Sequence, residues 1–364
     1  MPIRFRSLRA LGLLCAVPTL LTACKKDKEV IAPALQPDPQ ARAVVYVVNQ
    51  GNFLRANAAI TRYTRTSGAV VRDQFAAANP GVALGDVAQS MTIFGDKGYI
   101  VVNNSNRIAV VQLLDFKQVA EITGLEQPRY LAVFGGKGYV TEWGLTFGAA
   151  GRVSEIDLGT NTRTGRTFAT DVQPEEITAT TTGLLVANAG ANVLTTINLT
   201  TGATSAIRTP MAPTAVRLDA NGRAWVLCSG LIAYDAVTYD VDTANSTPGA
   251  LFSFSPTNPS DSTTRLFNRR GTAPGNLLLA ANGTRLYYTY HGNVFTMSTT
   301  DPALPRTALI RRRFDALGLD PADNTLYCAD QRGFTADGRV LRYRLSGAVI
   351  DSFATAVGPT QFVF

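Results

Sequence analysis

Three features of the sequence predict an all-β chain folded as a seven-bladed β-propeller. A motif recurs at near-regular spacing, turn residues sit at set places within each repeat, and the two chain ends complete each other. The motif opens at Ala88, Pro128, Pro174, Pro213, Pro274, Phe314 and Pro359, at intervals of 40, 46, 39, 61, 40 and 45 residues. A period near 40–45 residues with several short strands is that of propeller blades, each of which buries its apolar face only against a neighbour. The first strand of a repeat runs apolar, as in Leu131-Ala132-Val133-Phe134, which fits a strand facing a packed interior. The first turn then carries residues such as Gly95-Asp96-Lys97-Gly98 or Gly135-Gly136-Lys137-Gly138. Later turns carry Ser67-Gly68, Asn161-Thr162, Thr201-Gly202 or Ser346-Gly347, all suited to the left-handed backbone of short hairpins.

The chain ends supply the closure. A single strand follows Pro359, whereas the segment before Ala88 has three strand-like stretches, Val44–Asn49, Ala58–Thr64 and Val70–Phe75, and no opening strand. One plus three makes a blade, so the C-terminal strand is expected to pair within the first blade and close the ring. Closure removes the open edges of a linear array. The long interval after Pro213 is expected to hold an insertion between Tyr234 and Pro259.

Residues 1–23 read as a signal. Arg4, Arg6 and Arg9 give a positive start, and Ala10 to Leu21 is apolar but shorter than the roughly 20 residues a spanning helix needs. The stretch ends in Leu21-Thr22-Ala23-Cys24, similar to the bacterial lipobox, with Cys24 as the lipidation site; the alternative is plain secretory cleavage near Ala23. Residues 24–42, charged and then proline-rich, read as a lipidated tether, which leaves 43–364 for the propeller. The sequence carries +7, and loss of the three signal arginines reduces this to +4, much of it in the tether. A nearly neutral folded part argues against nucleic-acid binding, which needs a clustered basic face. Cys228 and Cys328 are expected to be buried free thiols.

The runs Val44-Val45-Tyr46-Val47-Val48-Asn49-Gln50-Gly51-Asn52-Phe53, Leu84-Gly85-Asp86-Val87-Ala88-Gln89-Ser90-Met91 and Gly98-Tyr99-Ile100-Val101-Val102-Asn103-Asn104-Ser105 carry a family likeness. They resemble the YncE-like, DUF5074-type propeller lipoproteins of Bacteroidetes, among them the BtuG-type surface proteins that capture cobalamin beside an outer-membrane transporter. The resemblance spans nearly all the mature chain. It implies an outer-membrane lipoprotein exposed at the cell surface, with a small-molecule ligand (a corrinoid such as cobalamin first) and a transporter partner. The charged Lys25-Lys26-Asp27-Lys28-Glu29 resembles the export tag of such surface lipoproteins.

Strand direction selects the face for a ligand. In an up-and-down blade the connections after strands one and three share one face, and those after strand two and between blades share the other. The first set is uniformly short; the second is chemically varied, and a rigid face with varied loops is where recognition is expected. That face is predicted to gather Asn49, Gln50, Asn52 and Phe53, then Asn103 and Asn104, then Glu142, Trp143 and Phe147. Asn188, Tyr290, His291, Asp330 and Arg332 follow, and the blade starts add Gln89, Arg129, Tyr130, Glu175, Glu176, Asn276 and Gln361. Amides donate and accept together and rings offer flat apolar area, so the set suits a large neutral polar ligand, a corrinoid or a glycan. Each also has a structural reading: the Asn-Gly runs as turn formers, Trp143 and Phe147 as packing between blades, Glu175 and Glu176 as a solvated pair.

The single histidine, His291, removes multi-histidine metal sites, and no nucleophile elbow, P-loop or dinucleotide fingerprint stands in a supporting context. No cofactor, metal or catalytic residue is therefore assigned, and a binding protein is expected rather than an enzyme. The main alternative is a calcium-dependent propeller hydrolase or lactonase, in which Glu142, Glu175, Asn188 and Asp330 would converge near the central channel. A protein-docking disc is the third reading.

Overall fold

The computed structural model describes residues 43–364; the expected signal, Cys24 and the tether lie outside them. The described chain is nearly all β and forms seven blades. Blade 1 has the strand order Pro359–Val363, Val44–Asn49, Ala59–Thr64 and Val70–Val71. The C-terminal strand lies antiparallel to the first described strand, with Tyr46 opposite Val363 and Val48 opposite Gln361. Blades 2, 3, 4 and 5 begin with Ala88–Phe94, Pro128–Phe134, Pro174–Ala179 and Pro213–Leu218, and blades 6 and 7 with Gly275–Leu279 and Ala316–Leu319.

Burial grades outward from the axis. Second strands such as Val44–Asn49, Gly183–Asn188 and Ala224–Cys228 are buried throughout, whereas the outermost strand Thr204–Arg208 of blade 4 is mostly exposed. The core lies between blades: Tyr99 and Val101 of blade 2 pack with Leu131 and Val140 of blade 3, and Leu185 and Leu194 of blade 4 with Val216 and Phe252 of blade 5. Cys228 and Cys328 are buried free thiols, and burial raises both above the ordinary thiol pKa.

Two contacts explain the repeated motif. The residue before a blade's first strand is left-handed at Val87, Gln127, Gln173, Ala212 and Gly358, a conformation that costs about 1–2 kcal/mol for a non-glycine residue. The strain is offset where its carbonyl accepts the N–H at the end of the second strand, as from Asn103 (2.8 Å) and Ala189 (2.8 Å). The prolines then lock neighbours together. The rings of Pro174, Pro274 and Pro359 lie so close to Gly151, Gly249 and Gly338 of the preceding blades that a Cβ there would sit 2.4, 2.4 and 2.5 Å from a ring carbon.

Three local expectations are corrected. The Val70–Phe75 strand stops at Val71; Asp73 caps a helix over Gln74–Ala78 by accepting from the Ala76 N–H, and Phe75 is buried. The insertion runs from Ser229 to Thr247, not Tyr234 to Pro259, because Pro248–Ser255 is the third strand of blade 5; it carries the ribbon Ala233–Tyr234 with Val241–Asp242. Blade 6 has three strands among the described residues, with only a bridge from Val294 to Ile310 beyond them. Pro302 and Pro305 account for this, since proline donates no ladder hydrogen bond. The Arg311-Arg312-Arg313 run thus follows a coil.

The seam between blades 7 and 1 is reinforced by side chains. Arg65 bonds the fully buried Asp320 at 2.6 Å, and Tyr63 stacks on Phe353 at 4.3 Å between ring centres. The Arg342 guanidinium lies 4.9 Å from the Tyr63 ring and bonds Asp351, a hydrogen bond that holds the Asp351 carboxyl below its ordinary pKa. Asp351 therefore stabilises the fold above the unfolded carboxylate pKa of about 3.9, and the contribution fades as pH falls through its lower folded value. The melting temperature is expected to drop on acidification below about pH 4. Asp351→Asn should lower the melt at neutral pH and flatten that acid limb; an unchanged acid limb would remove Asp351 from this role.

Candidate functional site

The first strands line the propeller axis and enclose a cavity of about 660 Å³. Its polar wall comes from consecutive blade starts. Arg129, the second residue of its strand, reaches to blade 4 and bonds both carboxylate oxygens of Glu175, Nε to Oε2 at 2.9 Å and Nη2 to Oε1 at 2.6 Å. The indole of Trp143 covers this pair, with the guanidinium carbon 4.2 Å from its ring centre. Glu176 turns the other way and bonds Arg217 of blade 5, Nη2 to Oε1 at 3.3 Å. Burial acts to lower the Arg129 pKa, but the Glu175 charge and hydrogen bond more than offset it, raise the pKa above its ordinary value and hold the guanidinium charged.

A third carboxylate of the lining, Asp315, accepts from the Gln331 N–H and lies 3.6 Å from Arg313, while within each of the two guanidinium–carboxylate pairs the charges cancel. Between them Tyr130 accepts a hydrogen bond from Gln89 Nε2 at 3.1 Å. Burial, followed by the Glu175 and Glu176 charges, pushes the phenol well above its ordinary pKa, so it stays a neutral donor. Gln361 accepts from the Met91 N–H at 2.7 Å, which leaves its amide N–H₂ free of partners among the described residues. Asn276 donates to Thr289 Oγ1 and to the Asp315 carbonyl. Leu279, Leu319 and Phe364, at the far ends of their strands, make the opposite end apolar.

Of the predicted residues, Arg129, Tyr130, Trp143, Glu175, Glu176 and Asn276 line this one cavity, and Gln361 joins them. Gln89 adjoins through Tyr130. Arg217 was not predicted; a charge at an axis-facing position of the apolar run Pro213–Leu218 was the signal. Trp143 Nε1 is buried and has no hydrogen-bond partner among the described residues.

Several others are not presented to a ligand. Asn49, Glu142 and Asn188 are fully buried at the ends of second strands. Each clamps the third strand of its own blade: Asn49 donates to Thr61 Oγ1 at 2.9 Å, Asn188 to Thr195 Oγ1 at 3.0 Å, and Glu142 accepts from Ser154 and from Arg152. A polar side chain at a strand end without water must find an internal partner, and the neighbouring strand supplies it. Tyr290 is likewise buried, its hydroxyl donating to Asn268 Oδ1 at 3.0 Å.

The remaining residues hold the loops of the varied face. Asn52 donates to the Phe334 carbonyl of blade 7 at 2.8 Å, Asn103 to the Pro128 carbonyl at 3.0 Å, and Asn104 to Asp86. Gln50 bonds the Gly358 carbonyl through its main chain. Asp330 accepts from the Arg332 N–H and lies 3.5 Å from Arg312, while Arg332 is exposed. His291 is exposed in a two-residue turn at φ 44°. Phe53 and Phe147 are 68% and 91% exposed, so both project from the face instead of packing between blades.

The expected calcium ligands do not assemble. Glu142 and Asn188 are sealed inside separate blades, Glu175 is held by Arg129 and Asp330 lies beside Arg312. Among the described residues no group of three acidic, histidine or cysteine side chains is placed to hold a metal ion.

Comparison with known proteins places the architecture. A quinoprotein alcohol dehydrogenase-like protein from Bacteroides thetaiotaomicron is 12% identical with a TM-score of 0.63, covering 89% of this chain and 78% of that one. The periplasmic gluconolactonase of Pseudomonas aeruginosa is 14% identical with a TM-score of 0.60, over 88% of this chain and 99% of that one. A Bacteroides fragilis protein described as a 6-phosphogluconolactonase is 11% identical with a TM-score of 0.58, over 90% of this chain and all of its own. At these identities the likeness is one of fold, on which many functions are carried. No curated protein sequence matches the chain. A family model described as "Domain of unknown function (DUF5074)" matches residues 44–348.

Proposed function

Because the chain belongs to the DUF5074 family, we propose that it is a lipid-anchored surface protein that binds a large, net-neutral polar molecule at the axial cavity. The observation that carries this reading is the pairing of Arg129 with Glu175 and Arg217 with Glu176, roofed by Trp143. Arg129 and Arg217 neutralise Glu175 and Glu176, and the third carboxylate of the lining, Asp315, lies 3.6 Å from Arg313, so the cavity has little excess field for an anion or a cation. It offers neutral donors and acceptors, namely the Tyr130 hydroxyl and the Gln361 and Asn276 amides, in a volume typical of small-molecule sites, about 300–1,000 Å³.

A corrinoid is the ligand proposed first, with its peripheral amides meeting those groups and its macrocycle resting on Trp143. Cys24 would carry the lipid at the outer membrane, and an outer-membrane transporter would receive the ligand. Binding is favoured over calcium-dependent hydrolysis because the four oxygen ligands that chemistry would use are dispersed.

The experiment is calorimetric titration of the Cys24→Ser protein against cyanocobalamin, cobinamide and neutral oligosaccharides. Saturable binding of a corrinoid with micromolar or tighter affinity is expected. Failure of both corrinoids to bind would discard that ligand, and turnover of gluconolactones abolished by a chelator would overturn the binding-protein reading.

A further inference from the structure

The second large cavity lies between blades 4 and 5, away from the axis, and shares no lining residue with the axial one. In blades 3, 5 and 7 the outermost strand inserts a phenylalanine, Phe168, Phe267 or Phe353, and in blade 1 Phe75 comes from the helix Gln74–Ala78 after that strand; all four are buried. The outermost strand of blade 4 reads Thr204-Ser205-Ala206-Ile207-Arg208 and carries Ile207 at the position of Phe168 and Phe353, as blade 2 carries Ile122. Between it and blade 5 lies a cleft of about 810 Å³.

We propose that this cleft is a second binding site, for a neutral oligosaccharide. Its walls carry hydroxyls from both blades, including Thr182, Thr196, Ser205, Ser260 and Ser262, together with the Asn198 amide. Among the described residues no carboxylate lines it, and Arg208 is its one charged group. Hydroxyls both donate and accept, so a hydroxyl wall matches a ligand that presents hydroxyls in turn and carries no charge. Ser260 donates to Asn258 Oδ1 at 2.6 Å, and other hydroxyls keep capacity for a ligand. Thr180 Oγ1 is used only as an acceptor, from the Thr182 and Gly183 N–H groups, which frees its own proton. Thr182 and Ser262 use their hydroxyls in no hydrogen bond among the described residues, and Thr196 and Ser205 share one at 2.6 Å. Beneath them Ile207, Leu185 and Phe252 give an apolar floor for the C–H faces of sugar rings.

The test uses the Cys24→Ser protein with maltohexaose, cellohexaose and mannohexaose as probes, read by calorimetry. At least one is expected to bind. Ser205→Phe adds bulk at a lining position of the cleft and should abolish that binding. If Ser205→Phe does not fold, Thr196→Val with Ser205→Ala removes the hydroxyl pair without adding bulk and should weaken binding at least tenfold. No binding of any probe at millimolar concentration, or undiminished binding by these variants, would overturn the proposal. The double variant Arg129→Met with Glu175→Leu, which keeps an apolar filling at the axis, should leave oligosaccharide binding here unchanged, so failure at the axial cavity and failure at this cleft are told apart.

Discussion

Truncation after Gly358 is expected to abolish the cooperative thermal transition of the protein. The lost strand, Pro359–Val363, is the innermost of blade 1 and pairs with Val44–Asn49, every residue of which is buried. Without it the main chain of Val44–Asn49 loses a ladder in a water-free interior, where each unmade hydrogen bond costs about 1–3 kcal/mol. Phe362 is also lost; burial of such a ring contributes about 1.5–3 kcal/mol, and it closes the apolar cluster of Val45, Val47 and Tyr327. Together these losses approach the whole stability of a typical domain, about 5–15 kcal/mol. Circular dichroism during heating should show no sigmoidal transition, and a peptide of residues 357–364 added in trans should restore part of it. A truncated protein that melts cooperatively near the parent temperature would show that the ring does not depend on this strand.

Glu175→Ala is expected to have the second largest effect, and the direction differs between stability and binding. Removing the carboxylate leaves the Arg129 guanidinium, whose side chain is only 14% exposed, without its partner beneath Trp143. Breaking a buried pair in this way costs about 3–5 kcal/mol. The double substitution Arg129→Met with Glu175→Leu removes both charges and keeps the volume apolar, so its stability should return close to that of the parent. Ligand binding at the axis should be lost in both. Chemical denaturation separates these expectations from titration with the corrinoid. If the double variant binds as the parent does, the pair is purely structural and the axial site is misplaced. For the same reason Arg129→Ala should not melt like the parent, contrary to what an exposed ligand-contacting arginine would do.

The blade architecture was legible because a propeller repeats. Each start proline and each glycine-bearing turn solves the same backbone problem in successive blades, so its spacing records the period directly. Departures from the period were legible only in part. Proline at 302 and 305 marks where blade 6 omits its outer strand, yet the coil from Thr299 onward passes for a strand when only its apolar residues are counted. Asn49, Glu142 and Asn188 stand beside varied loops in the sequence and resemble ligands. Their true partners are hydroxyls 12, 12 and 7 residues away, on an adjoining strand.

The amino-acid sequence by itself determined the number of blades, the split of the first blade between the two termini, and the blade-start residues Arg129, Tyr130, Glu175, Glu176, Asn276 and Gln361 of the axial cavity. These follow from local rules, since periodicity and turn chemistry act over a few residues. Tertiary structure alone decided which polar side chains face the cavity, that Arg129 is spoken for by Glu175 and Arg217 by Glu176, and that a cleft lies between blades 4 and 5. Those outcomes depend on contacts across about 40 residues of chain, where pairing of charges and filling of volume are settled by which neighbour lies within reach.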